Sequence, residues 1–518
     1  MSPFLSRLGP RPSNDTVRRW VYVPYDQLHG DLGLLAATPP RELGVVFVES
    51  SARPAERPYH QQKLALLLAN QRHFALELAA RGVAVDFRAG PAPFAAQLAS
   101  AVADRGPLQL HRPAERCLRA ELAPLLADGR LVEHPHPGWL TTPADFDALG
   151  AAPWRMDAFY RRVRRRTGDL MDDRGKPVGG RFSFDGENRQ RWTGDPAPPT
   201  PPAFTPDAVT AEVVDLVRCR FASHPGRVDP SALPATRDDA ERMWTWALSE
   251  CLPTFGPYED AMTTRSRGLF HTRISPLLNL HRLLPARVLG DVLARQDAIP
   301  LNSLEGFVRQ LLGWREFVHH VHERTPEMAG SPNHLGQHTP LPPAFWPGAP
   351  SGMACLDTVV SDVWDEAWSH HITRLMVLSN VAQLLDVSPR ELTDWFWVAY
   401  SDAYDWVVEP NVLGMGTFAL GDRMTTKPYI SGSGYLSKMS DYCGGCAFDP
   451  KTSCPLKRLY WAYLGRHRGA LAGNRRMALP LRSQAKRSPE EQAKDAATYE
   501  ATRAALAKGE RLTGFPRE

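Results

Sequence analysis

The sequence has no apolar run long enough to cross a membrane, and its start, MSPFLSRLGPRPSNDTVRR, lacks the continuous apolar core of a signal peptide. We therefore expect a cytoplasmic protein without a membrane anchor. An excess of one charge is also lacking, since 61 Lys and Arg residues nearly balance 57 Asp and Glu residues, for a net charge of +4. This small excess identifies no partner, so any nucleic-acid contact has to come from local patches.

The N-terminal part of the chain lacks the G-x-G-x-x-G turn of a dinucleotide site, although its pattern is that of an α/β fold. The strand-like runs WVYVPY, LGVVFVE and VAVDF surround a helical stretch over 61–81. Strands that alternate with helices favour a parallel sheet covered on both faces. We predict a Rossmann-like α/β domain over 20–142, preceded by a disordered tail over 1–19 that is rich in Pro, Ser and Arg.

Residues 143–236 are predicted to be an interdomain connector, because the run DPAPPTPPAFTP is typical of a linker. The connector also carries RRVRRR at 161–166, which is either an ion-paired or solvated helix face or a phosphate contact. From 237 onward the pattern is helical. We predict a large all-α domain over 237–480 and a C-terminal helix and tail over 481–518. A domain of this kind has to build its ligand site between helices.

Cysteine is scarce, with seven residues in the chain, and three of them cluster. Cys443 and Cys446 share a C-x-x-C turn and Cys454 follows, which is the spacing of a zinc site, an iron–sulfur cluster or a redox dithiol. Zinc or a cluster needs a fourth ligand, for which Cys355 is the candidate, and spacing alone leaves these two alternatives open. The other cysteines are isolated and are expected to be core or surface thiols: Cys117, Cys219 and Cys251.

The densest group of reactive side chains lies over 364–454. Apolar residues at helical spacing in VWDEAWSHHITRLMVLSNVAQLL predict one helix that carries His371 and Arg374 on the same side. A buried guanidinium needs an anionic partner, and Asp402 and Asp405 follow the next predicted helix. We predict an ion pair between Arg374 and Asp405. From residue types alone, this pair is more often structural than functional.

Several motifs together resemble the photolyase and cryptochrome family, in its bacterial iron–sulfur branch. They are WREF at 314–317, HHITRLM, SDAYDWVVEPNVLGM, TKPY, and YCGGC followed by CPLKRLYW. The resemblance implies an α/β antenna domain, a helical FAD-binding domain and a light-dependent (6-4) photolyase. In that enzyme, reduced FAD donates an electron to a pyrimidine lesion flipped out of UV-damaged DNA. The alternative is a cryptochrome-like blue-light photoreceptor with the same cofactors and no repair. A zinc-bearing nucleic-acid-binding protein without flavin is the interpretation that remains if the motif match is coincidental.

The resemblance also implies roles for single residues. Arg374 and Asp405 would pair beside the isoalloxazine, Asn411 would lie beside flavin N5, and His371 would be the proton donor for the (6-4) lesion. Leu375 stands where other (6-4) enzymes have a second histidine, which is a departure from a two-histidine relay. Each of these residues also has an ordinary alternative role, such as a core histidine for His371 or a turn former for Asn411.

The remaining implied contacts fall into five groups. FAD would contact Thr272 and Ser275 at its diphosphate, together with Trp314 and Arg315. Electrons would reach the flavin through Trp395, Trp346 and Tyr404. An antenna, 6,7-dimethyl-8-ribityllumazine, would lie at Asp26, Gln27 and Lys63. DNA would meet Arg181, Lys427, Tyr429 and Tyr435. A [4Fe–4S] cluster would be bound by Cys355, Cys443, Cys446 and Cys454. A monomer is expected.

Overall fold

The structure is a computed structural model that describes residues 2–12 and 17–514; residues 1, 13–16 and 515–518 lie outside the described part of the chain. Its N-terminal part is an α/β domain with a five-stranded parallel sheet in the order β3-β2-β1-β4-β5. The strands are β1 Arg19–Tyr22, β2 Leu43–Ser50, β3 Ala84–Gly90, β4 Leu108–His111 and β5 Leu131–His134. The helices are α1 Pro3–Leu8, α2 Gly33–Ala36, α3 Ala52–Glu56, α4 Gln61–Ala80, α5 Phe94–Arg105 and α6 Arg116–Ala127.

The strand sequences explain why the sheet is buried on both faces. In β2, LGVVFVES, the residues from Leu43 to Val48 are buried, as a parallel strand between two layers of helices requires. The order of the strands reverses at β1, because the chain adds β2 and β3 on one side of it and β4 and β5 on the other. The carboxyl edge beside such a reversal is where open α/β sheets form a crevice. The expected Rossmann-like domain is confirmed.

The expectation of a disordered tail is wrong for residues 2–12. Pro3–Leu8 form α1, and Phe4 is buried with its ring centroid 4.6 Å from that of Phe87. At the start of α1, the Ser2 hydroxyl donates to Glu212 at 2.7 Å and also caps the helix. The buried Phe4 ring and the hydrogen bond to Glu212 therefore dock this segment, while the part of the tail over 13–16 lies outside the described residues.

The connector contains α7 Pro143–Asp147, α8 Met156–Thr167 and α9 Ala208–Arg220. The arginine run lies in α8, and its most buried member, Arg164, donates to the carbonyls of Asp169, Leu170 and Phe182 at 2.6–3.0 Å. Arg166 pairs with Asp145 at 2.5 Å. Of the two alternatives for this run, the structure therefore favours a structural, ion-paired face for these two arginines.

The rest of the chain is helical, as expected. The N-terminal group of helices is α10 Arg237–Trp246, α11 Leu252–Phe255, α12 Ser275–Asn279, α13 Pro285–Leu293, α14 Leu301–Val308 and α15 Glu316–Arg324. The central group is α16 Ala354–Glu366, α17 His371–Thr373, α18 Asn380–Leu384, α19 Pro389–Ala399 and α20 Asp405–Val408. The C-terminal group is α21 Ser433–Met439, α22 Pro455–Arg466, α23 Arg468–Leu471, α24 Ala478–Ala485 and α25 Pro489–Ala507.

The single helix predicted through the histidine pair is wrong, because α16 ends at Glu366. Ala367 adopts a left-handed conformation with φ of 52°, and His370 is extended before α17 begins at His371. The helix then continues through a π-helical turn over Arg374–Ser379. Similar turns cover Arg309–Arg315 and Glu409–Gly416, so the predicted site residues Arg315, Arg374 and Asn411 all lie in π-helical turns. Such turns are frequent at functional sites because they rotate the side chains that follow.

The carboxyl edge of the sheet packs against the helical domain. Lys63 at the start of α4 donates to the carbonyls of Trp397 and Ala403 at 2.7 and 2.6 Å, and Arg116 pairs with Glu409 at 2.6 Å. The interdomain surface is thus held by buried polar contacts as well as by apolar packing. In the part of the chain that the structure describes, no helix is both long and apolar enough to span a membrane.

Candidate active site

The site is built around an ion pair between Arg374, whose side chain is 23% exposed, and the buried Asp402. The guanidinium donates to both carboxylate oxygens of Asp402 at 3.0 and 2.9 Å, and its Nε donates to the Ser369 carbonyl at 2.8 Å. Ser275, at the start of α12, donates to the same carboxylate at 2.6 Å. Burial alone would raise the pKa of Asp402, but the charge of Arg374 and these hydrogen bonds outweigh it and hold the pKa below its usual value. The carboxylate is therefore ionised at neutral pH.

The predicted partner of Arg374, Asp405, is wrong. Asp405 begins α20 and turns toward the α/β domain, where it accepts from the Cys117 backbone N–H at 3.0 Å and lies 3.6 Å from His322 Nε2. Asp402 instead lies before α20 in an irregular segment. The side-chain amide of Asn279 donates to the backbone carbonyl of Asp402 at 2.8 Å. Asp405 is the first residue of α20, whereas Asp402 lies before the helix. Residue type alone does not show where a helix begins, so it could not distinguish the two aspartates.

Asn411 lies in the π-helical turn after α20. Its side-chain amide donates to the Val407 carbonyl at 2.8 Å and the residue is half-buried. This contact is local, four residues apart in the chain, so the geometry fixes the orientation of the amide without assigning it to a ligand. Its place beside flavin N5 stays a prediction.

A row of aromatic rings leads from the surface to the ion pair. Trp346, which is half-buried, stacks on Trp364 with centroids 5.3 Å apart, and Trp364 meets Trp395 edge to face at 5.9 Å. Both buried indoles donate to the same carbonyl, that of Phe345, at 2.8 and 2.9 Å. Tyr400 completes the row, since its ring is 6.0 Å from Trp395 and 4.1 Å from the Arg374 guanidinium carbon.

The row brings the predicted residues Trp346 and Trp395 together but excludes Tyr404, which stacks on Tyr25 of the α/β domain at 6.4 Å. The sequence analysis missed Trp364 and Tyr400 in this role. The tryptophan content of the chain, 14 residues, offered no signal for choosing among them, because aromatic rings usually serve as core. Tyr404 therefore lies outside the row that reaches the Arg374 ion pair.

A cavity of about 180 Å³ opens beside the loop that leads into α12. Its walls include Arg267, Arg273, His271 and Trp246. The Nε1–H of Trp246 and the Nε–H of Arg273 are buried and have no hydrogen-bond partner among the described residues. Donors left unpaired in this way suit an anionic group such as a phosphate. The cavity is smaller than the roughly 300–1,000 Å³ of a site for a whole cofactor, so it could take only part of one.

Thr272 and Ser275, predicted to bind the flavin diphosphate, adjoin this cavity in the chain. Thr272 is half-buried, whereas the Ser275 hydroxyl is used by Asp402. The helix that begins at Ser275 has only five residues, so its dipole is weak. Sequence analysis therefore placed the segment, and the structure adds the charged residues Arg273, Arg267 and Glu366, which line the cavity.

Trp314 and Arg315 lie at the boundary with the connector. Arg315 is buried, pairs with Glu316 at 2.8 Å and lies over the ring of Trp139 at 4.4 Å. Glu316 accepts from the backbone of Leu140 at 2.8 Å, which ties the end of the α/β domain to the helical domain. The WREF tetrapeptide thus has a clear structural role. FAD contact by Trp314 and Arg315 stays a prediction.

His371 faces the opening of the site. Its side chain is 44% exposed and its Nε2 lies 3.5 Å from a carboxylate oxygen of Asp260. The preceding His370 is buried and stacks on His271 with centroids 4.5 Å apart. Burial lowers the pKa of both His370 and His271 well below the usual value, so both rings are neutral at pH 7. His371 is the histidine that a ligand in this opening can reach.

The tyrosines predicted to contact DNA, Tyr429 and Tyr435, are both half-buried near this opening. Burial raises the pKa of each, and the charges of Asp185 and Arg189 from the connector loop act on both. The connector loop and the segment over 429–435, which are distant in the chain, therefore lie close enough for the charges of the loop to act on both tyrosines.

The two basic residues predicted to contact DNA differ. Arg181 is exposed, pairs with Glu187 and lies over the Phe184 ring at 4.2 Å. Its guanidinium is therefore held by an exposed pair that a phosphate could replace at little cost. Lys427 is half-buried, and its contact with DNA stays a prediction.

The cysteines Cys355, Cys443, Cys446 and Cys454 line one pocket together with apolar side chains that include Met353, Leu436, Phe448 and Leu456. Cys355 lies in the first turn of α16, while Cys454 is the N-cap of α22. Burial raises the pKa of Cys454 to about 12, with the neighbouring thiols adding to the shift, while N–H groups of the first turn of α22 oppose it. Four thiolates in such a pocket require a cationic centre to stabilise them. The residues therefore fit an iron–sulfur cluster, whereas these thiols are not among the groups of described ligand atoms that lie within 4.8 Å of one another, as a single ion requires.

The residues predicted to hold an antenna lie at the carboxyl edge of the sheet. Asp26 is buried, and burial raises its pKa to about 7, although backbone hydrogen bonds oppose the shift. Gln27 donates to the carbonyl of Arg112 at 3.2 Å across the strand reversal. The ammonium group of Lys63 donates to two carbonyls of the helical domain, so its observed role is structural. The antenna contacts stay a prediction.

The chain is similar to known proteins both in sequence and in fold. A family profile described as "Deoxyribodipyrimidine photo-lyase-related protein" matches residues 21–233, and one described as "FAD binding domain of DNA photolyase" matches residues 307–431. A curated (6-4) photolyase of Agrobacterium fabrum is 34% identical over 482 residues, which cover 89% of this chain and 94% of that protein.

Two solved structures share the fold. A bacterial class III photolyase from Agrobacterium tumefaciens matches with a TM-score of 0.59 at 16% identity, and a cryptochrome from Synechocystis matches with a TM-score of 0.58 at 13% identity. Each match covers 96% of this chain and 99% of the other. At these identities the structural matches show the fold alone.

Proposed function

The chain belongs to the photolyase and cryptochrome family, and from that premise we propose that it is a light-driven (6-4) photolyase that repairs UV-damaged DNA. The observation that carries the proposal is the position of His371. The His371 imidazole is half-exposed, and a carboxylate oxygen of Asp260 lies 3.5 Å from its Nε2. Arg374, three residues further along the chain, forms the ion pair with Asp402. This arrangement suits a group that donates a proton to a substrate and takes it back.

Bound FAD in its reduced form would supply the electron that starts repair under blue light. The residues that fit FAD are the Arg374–Asp402 pair and the cavity beside Arg273, whose unpaired donors suit a diphosphate. Because Arg374 is fixed by three hydrogen bonds and by the Tyr400 ring, its charge stays in one place as charge moves in the site.

The chain's own residues would receive and position the lesion. A pyrimidine dinucleotide has to leave the duplex to reach a buried pocket. Tyr429 and Tyr435 could stack on or flank the flipped bases, and Lys427 and Arg181 could contact phosphates. At the lesion, His371 Nε2 would hold the transferable proton, while Asp260 would stabilise the imidazolium form.

Two further cofactors belong to the proposal. A [4Fe–4S] cluster is supported by the shared pocket of Cys355, Cys443, Cys446 and Cys454 and by its apolar walls. A lumazine antenna at Asp26 and Gln27 is supported by their position at the strand reversal, where α/β sheets bind ligands. Electron supply to the flavin through Trp346, Trp364, Trp395 and Tyr400 is supported by their ring contacts.

Substitution of His371 tests the proposed function. We expect His371→Ala to keep bound flavin and to lose repair of a defined (6-4) oligonucleotide by about 100-fold or more, since a positioned acid–base group contributes about 10²–10⁴-fold. His338→Ala, at an exposed histidine outside the site, is the control and should repair like the wild type. Repair by His371→Ala at the wild-type rate would overturn the assignment. Flavin photochemistry without repair in the wild type would favour the photoreceptor alternative.

A further inference from the structure

Three histidines from two segments of the chain converge at the mouth of the site, and we refer to His271, His370 and His371 as the histidine triad. One nitrogen from each ring lies within 4.8 Å of a nitrogen from the other two. The rings of His271 and His370 are parallel within 10°, and His371 meets His271 at an angle of 68° with centroids 5.5 Å apart. The loop before α12 and the start of α17 therefore bring their imidazoles together.

The buried members of the triad have unused nitrogens. The Nε2 of His271 and the Nδ1 of His370 are buried and form no hydrogen bond with any residue that the structure describes. A buried polar atom without a partner costs about 1–3 kcal/mol, so two such atoms side by side call for an explanation. Because both rings are neutral, each can offer a lone pair, which is the form that binds a metal.

We propose that the histidine triad binds a divalent transition-metal ion, of the Zn²⁺ or Cu²⁺ type, with Asp260 as a further oxygen ligand. Imidazole is a preferred ligand of these ions, at about 2.0–2.1 Å for zinc. At that distance the ligand atoms of one ion lie roughly 3–3.5 Å apart, compared with an observed separation of at most 4.8 Å. Ion binding therefore requires that the rings of His271 and His370, which are parallel within 10°, turn until their in-plane lone pairs converge. The exposed edge of His371 gives the ion an entry path.

The charges around the triad permit this binding. Three guanidiniums lie near the triad and Asp260. Arg374 is neutralised by Asp402 at 2.9 Å and Arg273 by Glu366 at 2.7 Å, while Arg189 pairs with Asp185 and lies 3.8 Å from Asp260. Asp260 adds a negative charge on the exposed side, 3.5 Å from His371. Because each of these guanidiniums has an anionic partner, the positive potential at the triad is reduced and a divalent ion can enter.

Metal binding has a consequence for repair that rests on the proposed function. An ion on His371 Nε2 occupies the lone pair that would otherwise carry the transferable proton. The metal-bound enzyme would therefore bind its lesion but not protonate it. The triad would make repair sensitive to free zinc or copper.

Copper binding tests the triad directly. The purified, flavin-loaded protein, kept oxidised and in the dark after chelator treatment, is titrated with Cu²⁺ and followed by electron paramagnetic resonance. We expect one tightly bound Cu²⁺ per chain, with hyperfine splitting from imidazole nitrogens. His271→Ala should weaken binding by about 10- to 100-fold or more, since even the loss of an outer-shell partner has an effect of that size. A spectrum without nitrogen splitting would overturn the proposal.

Matched variants keep the test decisive. His371→Ala changes a half-exposed side chain, so it should fold and lose copper affinity even if His271→Ala does not fold. His338→Ala, at an exposed histidine elsewhere, should bind copper like the wild type. Equal affinities in His371→Ala and His338→Ala would overturn the triad.

Zinc, which cannot oxidise the flavin, then tests the effect on repair. We expect added Zn²⁺ to inhibit lesion repair at the concentration that fills the site, and a chelator to restore it. No copper binding would overturn the triad whatever the repair activity, whereas absence of repair in the metal-free enzyme would overturn the proposed function whatever the copper binding.

Discussion

Replacing Asp402 with Asn distinguishes the observed ion pair from the pair with Asp405 that sequence patterns favour. Asn is nearly isosteric with Asp, so Asp402→Asn removes the charge that faces Arg374 and leaves the packing in place. Arg374 would then be a partly buried cation without an anionic partner, since among the described residues only Asp402 lies within ion-pair distance of it. Removing one partner of a fully buried pair costs about 3–5 kcal/mol, and the partial exposure of the Arg374 side chain puts the cost at the lower end of that range. In a domain of this size, that lowers the thermal midpoint by about 10 °C.

Asp405→Asn is the matched control. Asp405 accepts one backbone hydrogen bond, from Cys117, and its other carboxylate oxygen has no hydrogen-bond partner within the described chain. Its loss of charge should therefore cost less than about 2 kcal/mol. Exchanging both members of the true pair for apolar residues, Arg374→Met with Asp402→Leu, should recover part of the stability, because neither charge is then left unpaired.

Thermal unfolding followed by far-UV circular dichroism, with flavin absorption of the purified protein as a second readout, checks these expectations. We expect Asp402→Asn to unfold earlier than Asp405→Asn and to retain less flavin. Equal midpoints for the two single variants, or an earlier transition in Asp405→Asn, would refute the reasoning.

Three further predictions follow from other parts of the structure. Cys355→Ala should remove most of the iron and sulfide from the purified protein and reduce folding yield, whereas Cys219→Ala, at an exposed cysteine, should change neither; full iron content in Cys355→Ala would contradict the cluster assignment. Because burial raises the pKa of Asp26 to about 7, the folded state holds a proton that the unfolded state releases, so stability should fall as pH rises from about 4 to about 7. Asp26→Asn should remove this fall, so at pH 8 its free energy of unfolding should exceed that of the wild type by at most about 4 kcal/mol and its thermal midpoint should be higher, with similar midpoints at pH 4. A lower midpoint than the wild type at pH 8 would contradict this prediction. Phe4→Ala should free α1 and speed trypsin cleavage after Arg7, since deleting a buried Phe ring costs about 3–5 kcal/mol; an unchanged cleavage rate would show that α1 is held by other contacts.

The features that sequence analysis predicted correctly are local ones. The buried strands and the helix over 61–80 follow from apolar periodicity, which each segment carries in itself. The grouping of Cys443 with Cys446 follows from their spacing in one turn. Cys355 was the candidate fourth ligand from the residues alone, and the family resemblance assigned it to a [4Fe–4S] cluster.

The errors arise where tertiary structure decides. Apolar periodicity continues through Ala367, so no local signal marks the left-handed residue that ends α16 and sets the direction of His371. The choice of Asp402 over Asp405 depends on where α20 begins. The convergence of His271 with the histidine pair joins segments about 100 residues apart, which no single-sequence pattern encodes. Likewise, sequence analysis assigned Phe4 to a disordered tail because the segment around it is rich in Pro, Ser and Arg. Nothing in that composition indicates that the Phe4 ring is buried.

The measurement that tests the central claim most directly is blue-light repair of an oligonucleotide that carries one (6-4) photoproduct, by the purified protein with reduced flavin. Product is quantified by chromatography, with a dark sample and a cyclobutane-dimer oligonucleotide run in parallel. The account predicts restored pyrimidines from the (6-4) substrate in the light and none in the dark. A flavin-loaded protein that leaves the (6-4) substrate intact under blue light would contradict it.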